Sequence, residues 1–448
     1  MPAHDPAALG FSLPLWSVLP FAGLLLSIAL FPLFAPGFWG RHFGKVSLGF
    51  GLPVAGYFLV HAPRELLHTV LEYGSFIVLL AALFTVSGGI LIKGAIRATP
   101  GINCAFLAVG AVLANVLGTT GASMLLIRPL LRANAGRKRA AHLVVFFIFI
   151  VANIGGVLTA IGDPPLFLGY LKGVPFFWTL KHLGLVWLLT CGIVIGIFYL
   201  ADRRVFALEI VARDGGDAAG ESAGDAAGEA AGRAVGAMVG ATAGGTAGEM
   251  TGRAFSIEGK VNFLLLGAVI AAVFLPTPWR ETAMVSAAAV SVWKTPAGLR
   301  EENEFTYHPI EEVAILFAGI FATMIPALLI LKARGGELGV AAPTQFFWAA
   351  GLLSSFLDNA PTYLTFFSLA QGVGGANLVA GVPAPLLAAI SAGAVFMGAN
   401  SYIGNAPNFM VKAIAEEAGV RMPSFIGYMA WSCAVLLPVF GLLTLVFF

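Results

Sequence analysis

Long apolar stretches separated by short polar segments follow one another along almost the whole chain. A helix needs roughly 20 apolar residues to cross a bilayer, and about ten stretches approach or exceed that length. The candidate membrane segments are 13–34, 44–62, 75–95, 103–131, 142–172, 183–201, 259–275, 281–295, 311–331, 344–370, 384–411 and 423–447. The pattern predicts an all-α polytopic membrane protein with about 10–11 transmembrane helices.

Two of these segments, 103–131 and 344–370, carry Gly, Pro, Asn or Thr in their middles. Irregular backbone is tolerated at membrane depth only where it lines a cavity or packs on protein. We therefore expect both segments to be re-entrant hairpins rather than straight helices.

Composition supports a bilayer environment. Of the 448 residues, 58% are hydrophobic and 11% are charged, and the mean hydropathy is +0.90. This leaves too little charge to cover a soluble surface. The three cysteines are far apart and lie in apolar runs, which fits neither a disulfide framework nor a zinc site. The first apolar run lacks a basic segment before it, so we expect a retained helix.

The chain divides into two related halves around a low-complexity linker. Residues 213–254 include tetrads that mostly end in Ala-Gly, as expected of a linker. Three blocks of the first half recur in order in the second at offsets of 237, 240 and 242, which indicates an internal repeat. The predicted units are N-terminal spans 1–62, a first repeat 63–212, the linker 213–254 and a second repeat 255–448.

The distribution of charge predicts that the repeat is inverted. Basic residues surround the first hairpin, whereas 371–384, after the second hairpin, has no charge. By the positive-inside rule the first hairpin opens from the cytoplasm and the second from outside, a common design in secondary transporters. Lys332 and Arg334, before the second hairpin, run against this assignment.

Asp358 is the only formal charge between Thr344 and Val411. A carboxylate in a bilayer is costly and usually functional, and Pro361 prevents a continuous helix beside it. Asp358, Asn359 and Thr362 together offer hard oxygen ligands suited to Na⁺ or a proton. An ordinary helix cap is the competing interpretation of Asp358, and the two are compatible.

Asp163 is the second candidate, because it follows three glycines and precedes Pro164-Pro165. A loop position at the membrane edge is the alternative. The equivalent segment of the second half has the amides Asn400 and Asn405 instead of an acid. In the first hairpin, neutral oxygens come from Asn115, Thr119, Thr120 and Ser123, although hydroxyls in membrane helices often bond back to the preceding turn.

Four blocks of the sequence resemble the ion transporter superfamily, which includes citrate and dicarboxylate carriers, arsenite permeases and sodium:proton antiporters. The blocks are GTTGASMLLIRPLL, ANIGGVLTAIGDPPLF, FLDNAPTYLTFF and FMGANSYIGNAPNFMVKA. The likeness is closest to the sodium:proton antiporter branch. The resemblance implies an inverted-repeat fold with two re-entrant hairpins and two unwound helices, and such proteins are commonly homodimers. We expect a multi-pass protein of the bacterial inner membrane.

The resemblance also implies two ion or substrate sites. The first would use Thr119, Thr120 and Gly121 with Thr159, Gly162 and Asp163, and the second Asp358, Asn359, Ala360 and Thr362 with Asn400, Ser401 and Asn405. Na⁺ would bind at the Asp163 and Asp358 clusters, with no other cofactor. The unwound positions would be Gly121, Gly155, Gly156, Gly162, Pro164, Pro361, Gly404 and Pro407.

The hairpin tips depart from the dicarboxylate carriers, which have a Ser-Asn-Thr triplet at each tip. Here the tips read Gly118-Thr119-Thr120 and Asp358-Asn359-Ala360. A fixed carboxylate repels an anionic substrate unless a cation intervenes, which favours a sodium:proton antiporter. The alternatives are a citrate or dicarboxylate transporter coupled to Na⁺ or H⁺, an arsenite-type permease and a channel. The sequence has no phosphate-binding loop of the kind used in ATP-driven transport, and nothing in it suggests an enzyme or a nucleic-acid partner.

Overall fold

The computed structural model describes residues 6–93, 98–217 and 256–448 and is almost entirely helical. Among these residues, eight helices are long and apolar enough to cross a membrane. This confirms an all-α, multi-pass membrane protein. Two further apolar helices, Val261–Ala272 and Ala384–Asn400, are shorter, which is one reason why fewer long spans are found than the sequence suggests. Nearly all of the 213–254 linker lies outside the described residues.

The first half of the chain contains helices α1–α8 and strand β1. Their bounds are α1 Pro6–Ser12, α2 Leu19–Phe34, α3 Pro36–His61, α4 Pro63–Ser87, β1 Leu91–Lys93, α5 Pro100–Ala133, α6 Ala141–Ile150, α7 Pro164–Leu171 and α8 Trp178–Asp217. Short 3₁₀ turns occupy Leu15–Val18 and Ile154–Leu158.

The second half contains strands β2–β4 and helices α9–α17. Their bounds are β2 Ser256–Glu258, α9 Val261–Ala272, α10 Trp279–Lys294, α11 Ala297–Glu302, α12 His308–Arg334, α13 Pro343–Ser354, α14 Asn359–Val373, β3 Leu378–Val379, β4 Val382–Pro383, α15 Ala384–Met397, α16 Ala406–Glu417 and α17 Phe425–Phe447. The 3₁₀ turns are Gly335–Leu338 and Gly398–Asn400. Strand β1 pairs antiparallel with β2, and β3 with β4.

Helix α5 folds back on itself at Gly118, whose φ of 75° and ψ of 158° interrupt the helix. A straight helix of 34 residues would separate its ends by about 50 Å. Instead the Ala98 N–H donates to the Ala133 carbonyl at 3.0 Å. The side-chain amides of Asn103 and Asn134 also donate to each other, at 3.1 and 2.8 Å. We call α5 the first hairpin.

A buried polar network fixes the open end of the first hairpin to α8. Asp202 of α8 is fully buried. It accepts hydrogen bonds from Asn103 Nδ2 at 2.9 Å and from His142 Nε2 at 2.8 Å. Arg137 pairs with the same carboxylate at 2.5 Å and with Glu209 at 3.1 Å. Because a buried charge is stable only when it is paired, this network ties three segments together.

Helices α13 and α14 form the second hairpin, with a break at residues 355–358. The rings of Phe346 and Phe366 meet edge to face, with centroids 6.2 Å apart. Just before the hairpin, Gly335 lies so close to Gly372 that a Cβ on Gly372 would be 2.9 Å from the Gly335 nitrogen. Both predicted hairpins are therefore folded back, and their re-entry from opposite sides of a membrane stays a prediction.

The segments after each hairpin are interrupted helices. α6 is followed by the 3₁₀ turn Ile154–Leu158 and by α7, and α15 by Gly398–Asn400 and α16. The apolar window Ala141–Leu158 is 94% buried, whereas that of α3 is 17% buried. The interrupted helices thus form the interior. α2 and α3 face outward and pack on α12, where the Ser47 hydroxyl donates to the Ile315 carbonyl at 2.9 Å.

Candidate functional site

Asp163 is the centre of a buried polar contact between the two halves. The carboxylate is 1% exposed. The Thr119 hydroxyl donates to its Oδ1 at 2.6 Å, the Asn359 amide to its Oδ2 at 2.5 Å, and the Asn405 amide to Oδ1 at 3.1 Å. Asp163 is therefore an interior residue of the protein rather than part of an exposed loop, and its depth in a membrane stays a prediction.

Four helix N-termini meet at this carboxylate. Asp163 precedes α7, Thr119 begins the second limb of the first hairpin, Asn359 begins α14, and Asn405 precedes α16. An N-terminus carries a partial positive charge and unsatisfied N–H groups. Two of these helices come from each half. The sequence places breaks at all four points, but only the fold brings them together.

The resemblance assigns Asn359 and Asn405 to a second site around Asp358, and the structure differs. Both amides bind Asp163, in the first cluster. Asn405 also donates to the Ala152 carbonyl at 3.0 Å and to Asn153 Oδ1 at 3.2 Å. The physical reason is that the hairpin of one half packs against the interrupted helix of the other, so the two predicted clusters share a boundary.

Asn115 holds the interrupted segment of the first half against the first hairpin. Its amide donates to the Gly155 carbonyl at 2.7 Å, and its Oδ1 accepts from the Leu158 N–H at 2.8 Å. The Thr159 hydroxyl donates to the Asn115 carbonyl at 2.6 Å. The Thr159 hydroxyl proton is therefore engaged by the backbone. Thr120 lies partly exposed at the hairpin tip.

The glycines of the interrupted segments allow two backbone segments to approach each other closely, and they do not adopt positive φ angles. A Cβ on Gly162 would lie 2.0 Å from the Gly156 carbonyl oxygen, and one on Gly404 would lie 2.6 Å from that of Gly398. Neither Gly162 nor Gly404 has a positive φ, unlike Gly118. Pro164, Pro361 and Pro407 stand in the first turns of α7, α14 and α16, where a missing N–H does no harm.

Asp358 caps α14, because its Oδ1 accepts from the Ala360 N–H at 3.0 Å. The Thr362 hydroxyl donates to the Asp358 carbonyl at 2.9 Å. This agrees with the cap interpretation and leaves an ion-binding role as a prediction. Asp358 is partly exposed, unlike Asp163.

A second polar cluster forms around Ser355 at the break of the second hairpin. The Asn400 amide donates to Ser355 Oγ at 2.9 Å, and the Ser401 hydroxyl donates to the Ser355 carbonyl at 2.5 Å. Ser401 Oγ also accepts from the Gly404 N–H at 3.2 Å. Sequence reasoning included Asn400 and Ser401 but missed Ser355, because a serine in an apolar run gives little signal.

Asn153 and Asn408 were also missed as site residues. The Asn153 amide donates to Asn408 Oδ1 at 2.7 Å, and Asn408 donates to the carbonyls of Gly398 and Ser401. Both residues are fully buried. The sequence does show an asparagine beside each glycine-containing break. It does not show that these two asparagines pair with each other across 255 residues.

Several buried oxygens have no hydrogen-bond partner within the described part of the chain. Three of them belong to the hairpins and the interrupted segments, and they are Asn359 Oδ1, Asn400 Oδ1 and Ser123 Oγ. In both asparagines the amide nitrogen donates to protein while the oxygen has no donor. Neutral amide and hydroxyl oxygens are the kind of ligand that hard cations accept. Across the described ranges, no three His, Cys, Asp or Glu side chains cluster as a metal site.

Comparison with known protein families gives one match. The family described as "Putative citrate transport" matches residues 10–448, which is nearly the whole chain. The chain belongs to this family. A search of curated proteins found no significant match. The citrate transport family agrees with the superfamily resemblance and with a multi-pass transporter, whereas the sodium:proton antiporter branch is not confirmed.

Proposed function

We propose that this chain is a secondary transporter that carries citrate or a related carboxylate together with Na⁺ or H⁺. The observation that carries the proposal is the convergence of four helix N-termini, two from each half, on one buried polar centre. Broken helices whose N-termini point at an anionic group are a recurring arrangement in secondary transporters. Membership of the citrate transport family supports the same class of cargo.

The structure weakens the main objection to an anionic substrate, which is repulsion by fixed carboxylates. Both oxygens of Asp163 already accept hydrogen bonds from Thr119, Asn359 and Asn405. Hydrogen bonds to a charged group are about twice as strong as neutral ones, so much of the negative charge of Asp163 is compensated by the protein. Asp358 is likewise engaged as a helix cap.

A coupling cation fits the remaining oxygens. Asn359 Oδ1 and Asn400 Oδ1 are buried with no hydrogen-bond partner among the described residues. A Na⁺ ion near either would give that oxygen a partner and would offset the charge of a bound carboxylate. The same two regions supply Thr120 and Ser401 as neutral groups near a substrate. These assignments support coupling to a cation gradient.

Transport would require the two halves to separate and re-form their contacts. The bonds from Asn359 and Asn405 to Asp163 join the second half to the first. The bonds from Asn153 to Asn408 and from Asn405 to Ala152 and Asn153 also cross there. Exchange of these contacts at the centre for contacts with cargo is what alternating access around a midplane site demands.

Uptake of labelled citrate into proteoliposomes tests the proposal. Under an imposed Na⁺ or H⁺ gradient, we expect citrate to accumulate inside the vesicles. Without a gradient, citrate should only equilibrate across the membrane. Other di- and tricarboxylates should compete with citrate uptake, and acetate should not. Empty liposomes are the control. Na⁺-driven proton movement in the same vesicles without citrate uptake would reject the proposal in favour of antiport.

A further inference from the structure

A cleft of about 840 Å³ lies away from the Asp163 centre, between the first hairpin and the end of α16. Five of its sixteen lining residues are basic. They are Arg128, Arg132, Arg137, Lys138 and Arg421. The acidic lining residues are Glu304 and Glu417. Both halves of the chain therefore contribute to one basic concavity.

The cleft stands at the outer ends of two helices whose inner ends form the Asp163 centre. The second limb of the first hairpin runs from Thr119 to Ala133, and α16 runs from Ala406 to Glu417. At 1.5 Å per residue, these helices span about 22 and 18 Å. The cleft is thus a separate site, whose lining begins at Arg128, about 14 Å along the hairpin limb from Thr119.

Part of the basic charge in the cleft is already paired. Arg128 pairs with Glu304 at 2.8 Å, and Arg137 pairs with Asp202 and Glu209. Arg128 Nη1 and Arg137 Nη2 nevertheless remain buried without an acceptor in the described part of the chain. Both side chains are well buried, with exposures of 15% and 7%. Both guanidinium groups are thus held in place by their ion pairs in the wall of the cleft.

Three other basic side chains lack a carboxylate partner within 4.0 Å among the described residues. They are Arg132, Lys138 and Arg421, and all three are exposed. Arg132 donates to the Ile92 carbonyl at 2.7 Å, which leaves its charge uncompensated. Glu417 is the single lining carboxylate that pairs with none of the basic residues around it. The unpaired charges therefore leave the cleft positive.

We propose that this basic cleft is an anion vestibule that binds di- and tricarboxylates on the first-hairpin side of the centre. The guanidinium fork matches a carboxylate in a bidentate geometry, and a cleft lined by one sign of charge concentrates ions of the opposite sign. The volume is that of a small-molecule site. That the bound anion is also the transport substrate rests on the proposed function. That the cleft binds a polycarboxylate does not.

Thiol modification at Ala418, which lines the cleft and is exposed, tests the electrostatics without any transport. In the full-length Ala418→Cys variant at low salt, we expect an anionic methanethiosulfonate to react about tenfold faster than a cationic one. Millimolar citrate should slow the reaction, and acetate at matched ionic strength should not. Ala376→Cys, in an exposed segment without charged neighbours in sequence, is the matched control, and the unmodified chain gives the background of its three cysteines.

Neutralising the unpaired charges should remove both effects. In the background of Ala418→Cys, the triple change Arg132→Gln, Lys138→Gln and Arg421→Gln should equalise the two reagents and abolish protection by citrate. The control triple, Lys181→Gln, Lys260→Gln and Lys332→Gln, alters exposed basic residues that do not line the cleft, and it should change neither. In uptake assays the cleft variant should show a raised KM for citrate with an unchanged kcat.

Two results would overturn the vestibule. One is equal reaction of the two reagents in the unneutralised variant. The other is protection by phosphatidylglycerol but not by citrate, which would make the cleft a lipid headgroup site. Protection by citrate in a protein that does not transport it would contradict the proposed function alone and leave the binding site standing.

Discussion

At the scale of single residues, Asp163 is distinguished from the other acids by what holds it. Its three hydrogen-bond donors lie at the beginnings of three other helix segments, 44, 196 and 242 residues away in the chain. The hydrogen bonds of this carboxylate therefore depend on how the two halves are positioned relative to each other. Changes to its donors should therefore affect transport more than folding.

Thr119→Val removes the hydroxyl that donates to Asp163 while keeping the shape of the side chain. Hydrogen bonds to charged groups contribute about 1.5–3 kcal/mol, so we expect initial citrate uptake to fall about tenfold or more. Thr119→Ser restores the donor and should recover most of the rate. Thr190→Val is the control, because the buried Thr190 hydroxyl only bonds back to the Val186 carbonyl. Equal uptake by Thr119→Val and Thr190→Val would contradict this role.

Asp358 allows its two interpretations to be separated. Asparagine caps a helix about as well as aspartate, whereas alanine costs about 1 kcal/mol. We expect Asp358→Asn to keep the melting temperature but to lose stimulation of uptake by Na⁺, and Asp358→Ala to lose both. Thermal unfolding in detergent and uptake with and without Na⁺ provide the measurements. Full Na⁺ stimulation in Asp358→Asn would leave Asp358 as a cap alone.

The sequence identified both acids, because a lone carboxylate beside a helix break is visible without a structure. It could not assign Asn359 and Asn405 to Asp163, because that contact depends on how the halves pack. The sequence also could not show that Gly162 is needed for contact with Gly156, because a contact between segments leaves no local pattern.

At the scale of elements, the hairpins were predictable as interruptions but not as contacts. Gly118 and the Asp-Asn-Ala-Pro run both break a helix for local reasons, the first through positive φ and the second through a cap and a proline. The pairing of Asn103 with Asn134 closes the first hairpin at its open end. Asparagines are common in loops, so that pairing is not readable from sequence.

Gly118→Ala should destabilise the first hairpin. The backbone of Gly118, with positive φ and extended ψ, is open essentially to glycine alone and costs another residue about 1–3 kcal/mol, and the new Cβ would lie 3.3 Å from the Ile161 carbonyl oxygen. We expect a lower melting temperature and lower uptake. Gly192→Ala, in α8 with open space around the position, should leave stability unchanged or slightly raised. A Gly118→Ala variant as stable as Gly192→Ala would show that the hairpin does not need this turn.

Asp202→Ala should be among the most damaging changes outside the centre. It removes the acceptor of Asn103 and His142 and leaves Arg137 with one fewer partner. Removing one member of a buried ion pair costs about 3–5 kcal/mol. We expect a large fall in the unfolding temperature, measured on purified protein in detergent. Arg203→Ala changes the exposed neighbouring position, and its unfolding temperature should equal that of the unmodified chain within error. An equally large fall in the unfolding temperature of Arg203→Ala would contradict the role of the network.

At the scale of the whole molecule, the two halves share one order of elements, a hairpin followed by an interrupted helix and a long span. The Asp163 centre draws on both halves, and the basic cleft draws on both again. The inverted orientation of the repeat, a homodimer and a location in the bacterial inner membrane stay predictions. Composition was enough to predict the membrane class, because hydropathy depends on residue type and not on packing. The cargo was harder, because it depends on how charges are compensated in three dimensions.

The most direct test of the account is citrate uptake and ion flux followed together in one batch of proteoliposomes, with the unmodified chain and Asp163→Asn side by side. We predict that citrate enters with Na⁺ or H⁺ in the unmodified chain, and that Asp163→Asn stays folded but loses coupled uptake at least about tenfold. Citrate uptake unchanged by Asp163→Asn, or ion exchange that proceeds without citrate, would contradict the account.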